Sequence, residues 1–202
     1  MHIEALNISH SRMDKYLFRN LNFKVRPGQL LRIQGQNGAG KTTLLKVLAG
    51  LITPDKGKIT WQDQPIAQSH IFKENMALVS HKAGINPALT VKENIELQLN
   101  LAGVSSEETL FQTVLEEFGL ISKANELCYQ LSQGQQRKVA LCALILKNKA
   151  LWLLDEPYTA LDQDSITAFN EKVQSHLNQQ GLVIIASHQP INLSCNQVLS
   201  LC

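Results

Sequence analysis

The sequence has no apolar run long enough to cross a lipid bilayer. Its longest apolar runs, Val139 to Leu146 and Leu182 to Ala186, fall far short of the about 20 residues that a membrane-spanning helix requires. The N-terminal stretch from Met1 to Ala5 has neither a basic leader nor an apolar core, so no secretory signal is predicted. We therefore expect a cytoplasmic protein that reaches a membrane only peripherally, through partners.

The chain also lacks a large excess of charge and is poor in cysteine. Its 19 Lys and Arg against 17 Asp and Glu give a formal net charge of +2, so the basic surface of nucleic-acid-binding proteins is not indicated. No two cysteines have Cys-x-x-Cys or zinc-ligand spacing, and free thiols are predicted for Cys128, Cys142, Cys195 and Cys202. With 202 residues, 44% of them hydrophobic, the chain is expected to form one domain spanning residues 1–202.

A glycine-rich stretch at residues 35–43 predicts a phosphate-binding loop. It reads Gly-Gln-Asn-Gly-Ala-Gly-Lys-Thr-Thr and lies between an apolar run and a helix-forming segment. Backbone N–H groups of such a loop point at phosphate, Lys41 can reach the β- and γ-phosphates, and the Thr42 hydroxyl can ligate the bridging Mg²⁺. The alternative is a turn that merely caps a helix. The residues predicted to bind nucleotide here are Gly35, Asn37, Gly38, Ala39, Gly40, Lys41, Thr42 and Thr43.

Strand and helix patterns alternate along the chain and predict an α/β fold. The predicted strands include 3–8, 21–25, 58–61, 76–80, 151–154, 182–186 and 197–201, with helices from about residue 41, over 139–146 and over 165–177. The early strands predict a small antiparallel β region beside a parallel core sheet. Two capping-box patterns, Thr90-x-x-Glu93 and Ser105-x-x-Glu108, predict helices in an insertion at about residues 88–148.

Adjacent carboxylates follow the apolar strand 151–154. Carboxylates rarely lie at the end of a buried strand without a ligand. Asp155 is therefore predicted to hold Mg²⁺, and Glu156 to orient and deprotonate an attacking water. A helix N-cap or a surface turn before Pro157 is the alternative interpretation.

The string Leu131-Ser132-Gln133-Gly134-Gln135 is, by spacing alone, another capping box. It is followed, after a helix, by Leu-Leu-Asp-Glu-Pro-Tyr-Thr-Ala-Leu-Asp at 153–162. In this combination the chain closely resembles, over nearly its whole length, the nucleotide-binding subunits of ATP-binding cassette (ABC) transporters. The resemblance identifies the Walker A loop at 35–43, the signature at 131–135, Walker B at 151–156, a D-loop ending in Asp162 and the switch histidine His188.

That resemblance implies a P-loop NTPase fold with a RecA-like parallel core, and ATP and Mg²⁺ as cofactors. It also implies a homodimer in which two subunits enclose two ATP molecules. Ser132, Gly134 and Gln135 of one subunit would then bind ATP held by the other, Asp162 would contribute from the D-loop, and Glu156 and His188 would be catalytic.

Two positions depart from the usual family pattern. His81 stands at the Q-loop position, where it could contact the metal, link to a membrane partner, or be a simple loop residue. Arg12 stands in the stretch where an aromatic residue usually stacks on adenine; its guanidinium could stack on the base or remain a solvated surface group. With the stretches 61–65, 79–85 and 187–192, these departures resemble the ATP-binding subunit of the cytochrome c maturation system, a haem exporter ATPase.

The narrower resemblance implies an ATP hydrolase that drives haem export or the release of a haem-loaded chaperone. Its expected partners are multi-spanning membrane subunits of the cytochrome c maturation system at the cytoplasmic face of the bacterial inner membrane. No nucleic-acid partner is expected, and no haem site is predicted on this chain, since the other histidines carry no ligand spacing. The alternatives are an ABC transporter ATPase with another cargo, a soluble non-transport ABC ATPase, and a binding module without turnover.

Overall fold

The protein folds as two sheets with helices packed around them. The computed structural model describes residues 1–13, 15–82 and 84–201; Asp14, Ala83 and Cys202 lie outside the described residues. The strands are β1 (Ile3–Arg12), β2 (Lys15–Val25), β3 (Leu30–Gln34), β4 (Lys56–Trp61), β5 (Gln64–Pro65), β6 (Met76–Val79), β7 (Leu151–Asp155), β8 (Leu182–Ala186) and β9 (Gln197–Ser200). The helices are α1 (Lys41–Leu48), α2 (His70–Asn75), α3 (Val91–Leu101), α4 (Glu108–Glu117), α5 (Gln133–Lys147) and α6 (Gln163–Asn178).

The N-terminal strands form an antiparallel sheet in the order β2-β1-β4-β5, which confirms the predicted antiparallel region. The first two strands are longer than the sequence pattern indicated, because the register between them shifts at several points and breaks the alternation of buried and exposed residues. Asn7 and Asn20 have positive φ angles of 51° and 49° within these strands. The extra length carries Arg12 to the end of β1.

The core sheet is parallel, with the order β6-β7-β8-β3-β9, as predicted for a P-loop NTPase. Strand β7, which lies between β6 and β8, is buried along its whole length, and its side chains alternate between two hydrophobic clusters. Leu151 and Leu153 pack with α1, whereas Trp152 and Leu154 pack with α5 and α6. The sheet is therefore covered on both faces, and only its edges and strand ends reach solvent.

Helices α3, α4 and α5 lie between β6 and β7 in the chain and pack on one hydrophobic cluster. The capping boxes predicted at Thr90 and Ser132 are both present. The one predicted at Ser105 is wrong, because α4 begins at Glu108 with Glu107 as its N-cap. The residue before Ser105 is still bonded to the C-terminal end of α3, since the Val104 N–H donates to the Leu99 carbonyl at 3.0 Å.

The described cysteines are free thiols, as predicted; Cys128 and Cys142 are buried and Cys195 is partly buried. Burial raises the pKa of the Cys142 thiol. Within the parts of the chain that the structure describes, no helix has the length and hydrophobicity needed to span a membrane.

Candidate functional site

The glycine-rich loop connects the C-terminal end of β3 to the first turn of α1. Gly40 is the N-cap residue of α1, with φ at 94°. A Cβ at this position would lie 3.0 Å from the Leu17 Cβ and would also be strained by the left-handed backbone, so glycine suits both constraints. The loop thus brings backbone N–H groups and the positive end of the α1 dipole to the same place.

The Lys41 ammonium is held inside this loop. Only 6% of Lys41 is exposed, and its Nζ donates to the carbonyl oxygens of Gly35 at 2.8 Å and Gln36 at 3.2 Å. The same nitrogen lies 3.9 Å from Glu156 Oε1. A buried charge positioned by main-chain oxygens and close to a carboxylate is suited to exchange these partners for phosphate oxygens.

Thr42 and Asp155 form a pair of oxygen ligands beside Lys41. The Thr42 hydroxyl donates to Asp155 Oδ2 at 2.8 Å, and Asp155 is only 2% exposed. The other carboxylate oxygen, Oδ1, is buried and has no hydrogen-bond partner among the described residues. Mg²⁺ prefers such hard oxygen ligands, and an unpartnered carboxylate oxygen beside a hydroxyl therefore fits a Mg²⁺ ion.

Glu156 and His188 meet because they follow neighbouring parallel strands. Glu156 comes directly after β7 and its N–H donates to Ala186 at the end of β8. Its Oε1 accepts the His188 N–H at 3.0 Å and lies 2.9 Å from His188 Nδ1. Glu156 has a φ of 49°, a left-handed conformation that few non-glycine residues adopt. The Glu156 carboxylate, which is hydrogen-bonded to His188, therefore points toward the phosphate loop.

An open cleft of about 570 Å³ lies over these groups. Arg12 and His81 both line it, which places the two unusual residues at the same cleft as the phosphate loop. The other predicted residues along it are Asn37, Gly38, Gly40, Lys41, Thr42, Thr43, Glu156 and His188. Leu17, Lys46 and Thr159 also line it, although the sequence motifs did not indicate them. Gly35 and Ala39 lie in the loop but do not line this cleft.

The signature residues do not line this cleft. Ser132 is the N-cap of α5; its Oγ accepts the Gln135 N–H at 3.2 Å, and Gln135 Oε1 accepts the Ser132 N–H at 2.9 Å. A Cβ on Gly134 would collide with the carbonyl oxygen of Ala160, so the α5 N-terminus packs directly on the D-loop backbone. Its N-cap residue Ser132 is exposed and does not line the cleft over the chain's own phosphate loop.

Asp162 also lies outside the cleft, and its carboxylate is engaged within the chain. It caps α6 by accepting the Ser165 N–H at 2.9 Å and pairs with Lys138 Nζ at 2.7 Å. The hydrogen bonds from Lys138 and Ser165 lower the pKa of Asp162 to about 2. These contacts assign Asp162 a structural part in the D-loop.

Arg137 is a further residue near the site that sequence reasoning did not single out. Only 5% of it is exposed, and its guanidinium donates to main-chain carbonyls around Asp155 and Glu156. Burial lowers the pKa of Arg137, against the opposing effect of these two carboxylates. The available signal was its position two residues after the signature, on the inward face of the following helix.

The fold and this arrangement of residues define an ATPase of the ABC class. The sequence profile of the family described as "ABC transporter" matches residues 18–159, which is well over half of the chain. The chain therefore belongs to the ABC transporter family, as an ATP-binding and ATP-hydrolysing domain. This confirms the resemblance that the five ordered motifs indicated.

Within that family the chain is similar to curated proteins named "Cytochrome c biogenesis ATP-binding export protein CcmA". The protein from Histophilus somni is 36% identical over 191 residues, covering 94% of this chain and 88% of the relative. The protein from Aliivibrio fischeri is 36% identical over 197 residues, covering 97% of this chain and 96% of the relative. The similarity thus extends beyond the motifs to nearly the whole length of both chains.

Solved structures give the same fold. An ATP-binding protein from Pyrococcus furiosus, described as a putative ABC transporter, is 26% identical with a TM-score of 0.87, and the match covers 100% of this chain and 98% of that one. A dimeric ATP-binding cassette in a post-hydrolysis state with ADP and Pi is 24% identical with a TM-score of 0.80, covering 93% and 88%. At that identity the second likeness concerns the fold alone.

Proposed function

We propose that this chain is the ATP-hydrolysing subunit of a membrane ABC complex for c-type cytochrome biogenesis. The observation that carries the ATPase part is the Glu156–His188 pair beside the phosphate loop, with Glu156 Oε1 3.9 Å from Lys41 Nζ. The names of the curated relatives support the biological task. The work driven by ATP is haem export or release of a haem-loaded chaperone.

The phosphate groups of ATP occupy the loop at 35–43. Backbone N–H groups and the α1 dipole bind the β-phosphate, and Lys41 moves its hydrogen bonds from loop carbonyls to the β- and γ-phosphate oxygens. Thr42 and Asp155 would hold Mg²⁺, which supplies neutralisation of the negative charge that develops on the phosphates. Arg12 stacks on adenine at the rim of the cleft.

The reaction is attack of a water molecule on the γ-phosphorus of ATP. Glu156 orients the water and accepts its proton, while the bond from the γ-phosphorus to the bridging oxygen breaks and leaves ADP and phosphate. His188 fixes the Glu156 carboxylate through its N–H and its imidazole, and is half-exposed on the cleft side, where it can reach the γ-phosphate. His81 lies on the same cleft and contacts the metal side or a membrane partner.

The site is completed by a second copy of the chain. Ser132, Gly134 and Gln135 form the N-terminus of α5, where the helix dipole favours an anion, yet these residues do not line the chain's own cleft. We infer a head-to-tail homodimer in which each signature binds the γ-phosphate of the other subunit's ATP. Helices α3 to α5 and the His81 loop would transmit closure of this dimer to multi-spanning membrane subunits at the cytoplasmic face of the inner membrane.

The experiment that tests this function is deletion of the gene, followed by covalent haem staining of the cell's cytochromes. Staining of c-type cytochromes should disappear while b-type cytochromes remain. Wild-type chain supplied in trans should restore it, whereas Glu156→Gln should not. Normal c-type staining in the deletion strain would reject the cytochrome assignment and favour an ABC transporter ATPase with another cargo.

A further inference from the structure

Arg137 lies in the second turn of α5 and reaches across to the strand ends that carry the catalytic groups. Its Nη1 donates to the Ser80 carbonyl at 2.6 Å, immediately before His81. Its Nη2 donates to the Glu156 carbonyl at 2.9 Å and also to that of Asp155. Its Nε donates to the Pro157 carbonyl at 3.3 Å. One side chain thus bonds to the main chain of both β6 and β7 where these strands end.

These partners explain how the sequence can place a cation in this interior. A buried charge is costly unless hydrogen bonds replace its hydration, and here the partners are main-chain carbonyls spread over several residues. The planar guanidinium presents donors in a fixed fork, so it can serve carbonyls in different directions at once. A lysine ammonium keeps the charge but is a compact point with no such fork.

The Arg137 hydrogen bond matters for Glu156 because, with it, both the N–H and the carbonyl of Glu156 have hydrogen-bond partners. The Glu156 N–H is bound by Ala186 and its carbonyl by Arg137, while the left-handed φ turns the side chain toward the cleft. Such a conformation persists only where the surroundings hold it. Among these contacts, Arg137 is the one that comes from the signature helix.

We propose that Arg137 is a positioning residue that holds the catalytic Glu156 in place from the signature helix. It touches neither nucleotide nor water; it acts through the Glu156 main chain, and the inference rests on the base role proposed for Glu156.

The test compares Arg137→Lys and Arg137→Met in the full chain, each alone and combined with Glu156→Gln. Lys147→Met is the matched control, because it removes a half-buried cation from the same helix, where the one side-chain hydrogen bond of Lys147 among the described residues goes to Gln98. Both Arg137 variants should lower kcat for Mg-ATP by about 10–100-fold, the scale of a small misplacement of a catalytic group. The Kd for ATP should change less than about 3-fold, since the phosphate loop is untouched.

The double variants separate positioning from a general loss of structure. If Arg137 acts through Glu156, it has nothing to position in the Glu156→Gln chain, and the residual rate should change by less than about 2-fold. If Arg137→Met slows the Glu156→Gln chain as much as it slows the wild type, the proposal is overturned.

Hydrogen exchange in the nucleotide-free chain gives a readout independent of hydrolysis. In Arg137→Lys, the amides of Glu156 and Thr159, which bond to Ala186 and Glu156, should exchange faster while those of β8 are unchanged. Wild-type exchange at Glu156 and Thr159 would overturn the proposal. If instead Glu156→Gln hydrolyses ATP normally, the base assignment fails, and the exchange result still decides the structural effect of Arg137.

Discussion

Glu156 is the residue on which hydrolysis depends most directly. Its carboxylate is bound by His188 and lies within reach of Lys41, while its backbone is fixed by Ala186 and Arg137. The position of the carboxylate and the conformation of the Glu156 backbone are therefore set by different contacts. A substitution that keeps its shape but removes its basicity separates binding from chemistry.

Glu156→Gln should slow ATP hydrolysis by about 10²–10⁴-fold, the usual contribution of a general base, and leave ATP binding intact. The amide oxygen can still accept the His188 N–H, so the local geometry should persist. Steady-state hydrolysis and ATP titration measure the two effects. Glu126→Gln, which alters a surface pair with Lys123, is the control and should hydrolyse at the wild-type rate. An unchanged rate in Glu156→Gln would refute the base assignment.

Asp162 should contribute a pH-dependent stability at the D-loop. Its folded pKa of about 2 lies below its ordinary value of 3.8, so the stabilisation is complete above about pH 4 and is lost as pH falls through about 2. Since the carboxylate is 58% exposed, the effect is that of a surface pair.

Asp162→Asn, which can still cap α6, should lower Tm by no more than about 3 °C at neutral pH. The difference from wild type should shrink toward zero as pH approaches about 2, because protonation removes the same charge. Thermal unfolding of both chains over this pH range measures it. A Tm difference that is independent of pH would show that the Lys138 pair contributes nothing.

Among the secondary-structure elements, the two helix N-termini proposed to bind phosphate, those of α1 and α5, differ in how they are capped. Helix α1 begins at the glycine-rich loop without a side-chain cap, which leaves its first N–H groups free for the nucleotide held by the same chain. Helix α5 begins with a capping box at Ser132, and this N-cap is exposed. Helix α3 begins with the same box at Thr90 and provides an internal comparison.

Ser132→Ala and Thr90→Ala should each cost about 1 kcal/mol of stability, the usual price of a lost N-cap. Their effects on ATP hydrolysis should differ, because Ser132 faces the partner's ATP in the proposed dimer and Thr90 does not. Denaturant unfolding and steady-state hydrolysis distinguish them: both chains lose stability, and Ser132→Ala alone loses activity. Equal activity in the two variants would argue against a catalytic part for the signature.

At the scale of the whole molecule, one chain presents half of each ATP site. Its cleft is lined by residues of the phosphate loop together with Glu156 and His188, whereas the signature residues Ser132, Gly134 and Gln135 do not line it. A chain with a defective phosphate loop and a chain with a defective signature should therefore form one complete ATP site when they are mixed.

Lys41→Ala removes the phosphate-binding charge, and Ser132→Asp keeps a good N-cap while opposing the partner's γ-phosphate with a negative charge. Each variant alone should be inactive, and a mixture should regain hydrolysis, because the loop of one chain meets the signature of the other. Hydrolysis is measured against mixing ratio, with a chain carrying both substitutions as the control that restores nothing. No recovery in the mixture would contradict a site shared between chains.

Features formed by residues close together in the sequence were predicted correctly, whereas features that depend on more distant residues were not. The boxes at Thr90 and Ser132 were predicted correctly because the bonds that form them span three residues. The box at Ser105 was wrong because its helix start depended on how α3 ended. Arg137 was missed because its acceptors lie between 18 and 57 positions away in the sequence.

The class of chemistry can be read from contiguous motifs. A phosphate loop, a strand ending in carboxylates and a signature box have residue types and spacing that indicate what they bind. Which of these groups act together depends on the folded arrangement of the chain. Parallel pairing of β7 with β8 brings His188 to Glu156, and the packing of α5 under the same strand ends brings Arg137 to both peptide carbonyls. These contacts join distant segments, and their geometry is set by sheet register and helix packing, which no local pattern specifies.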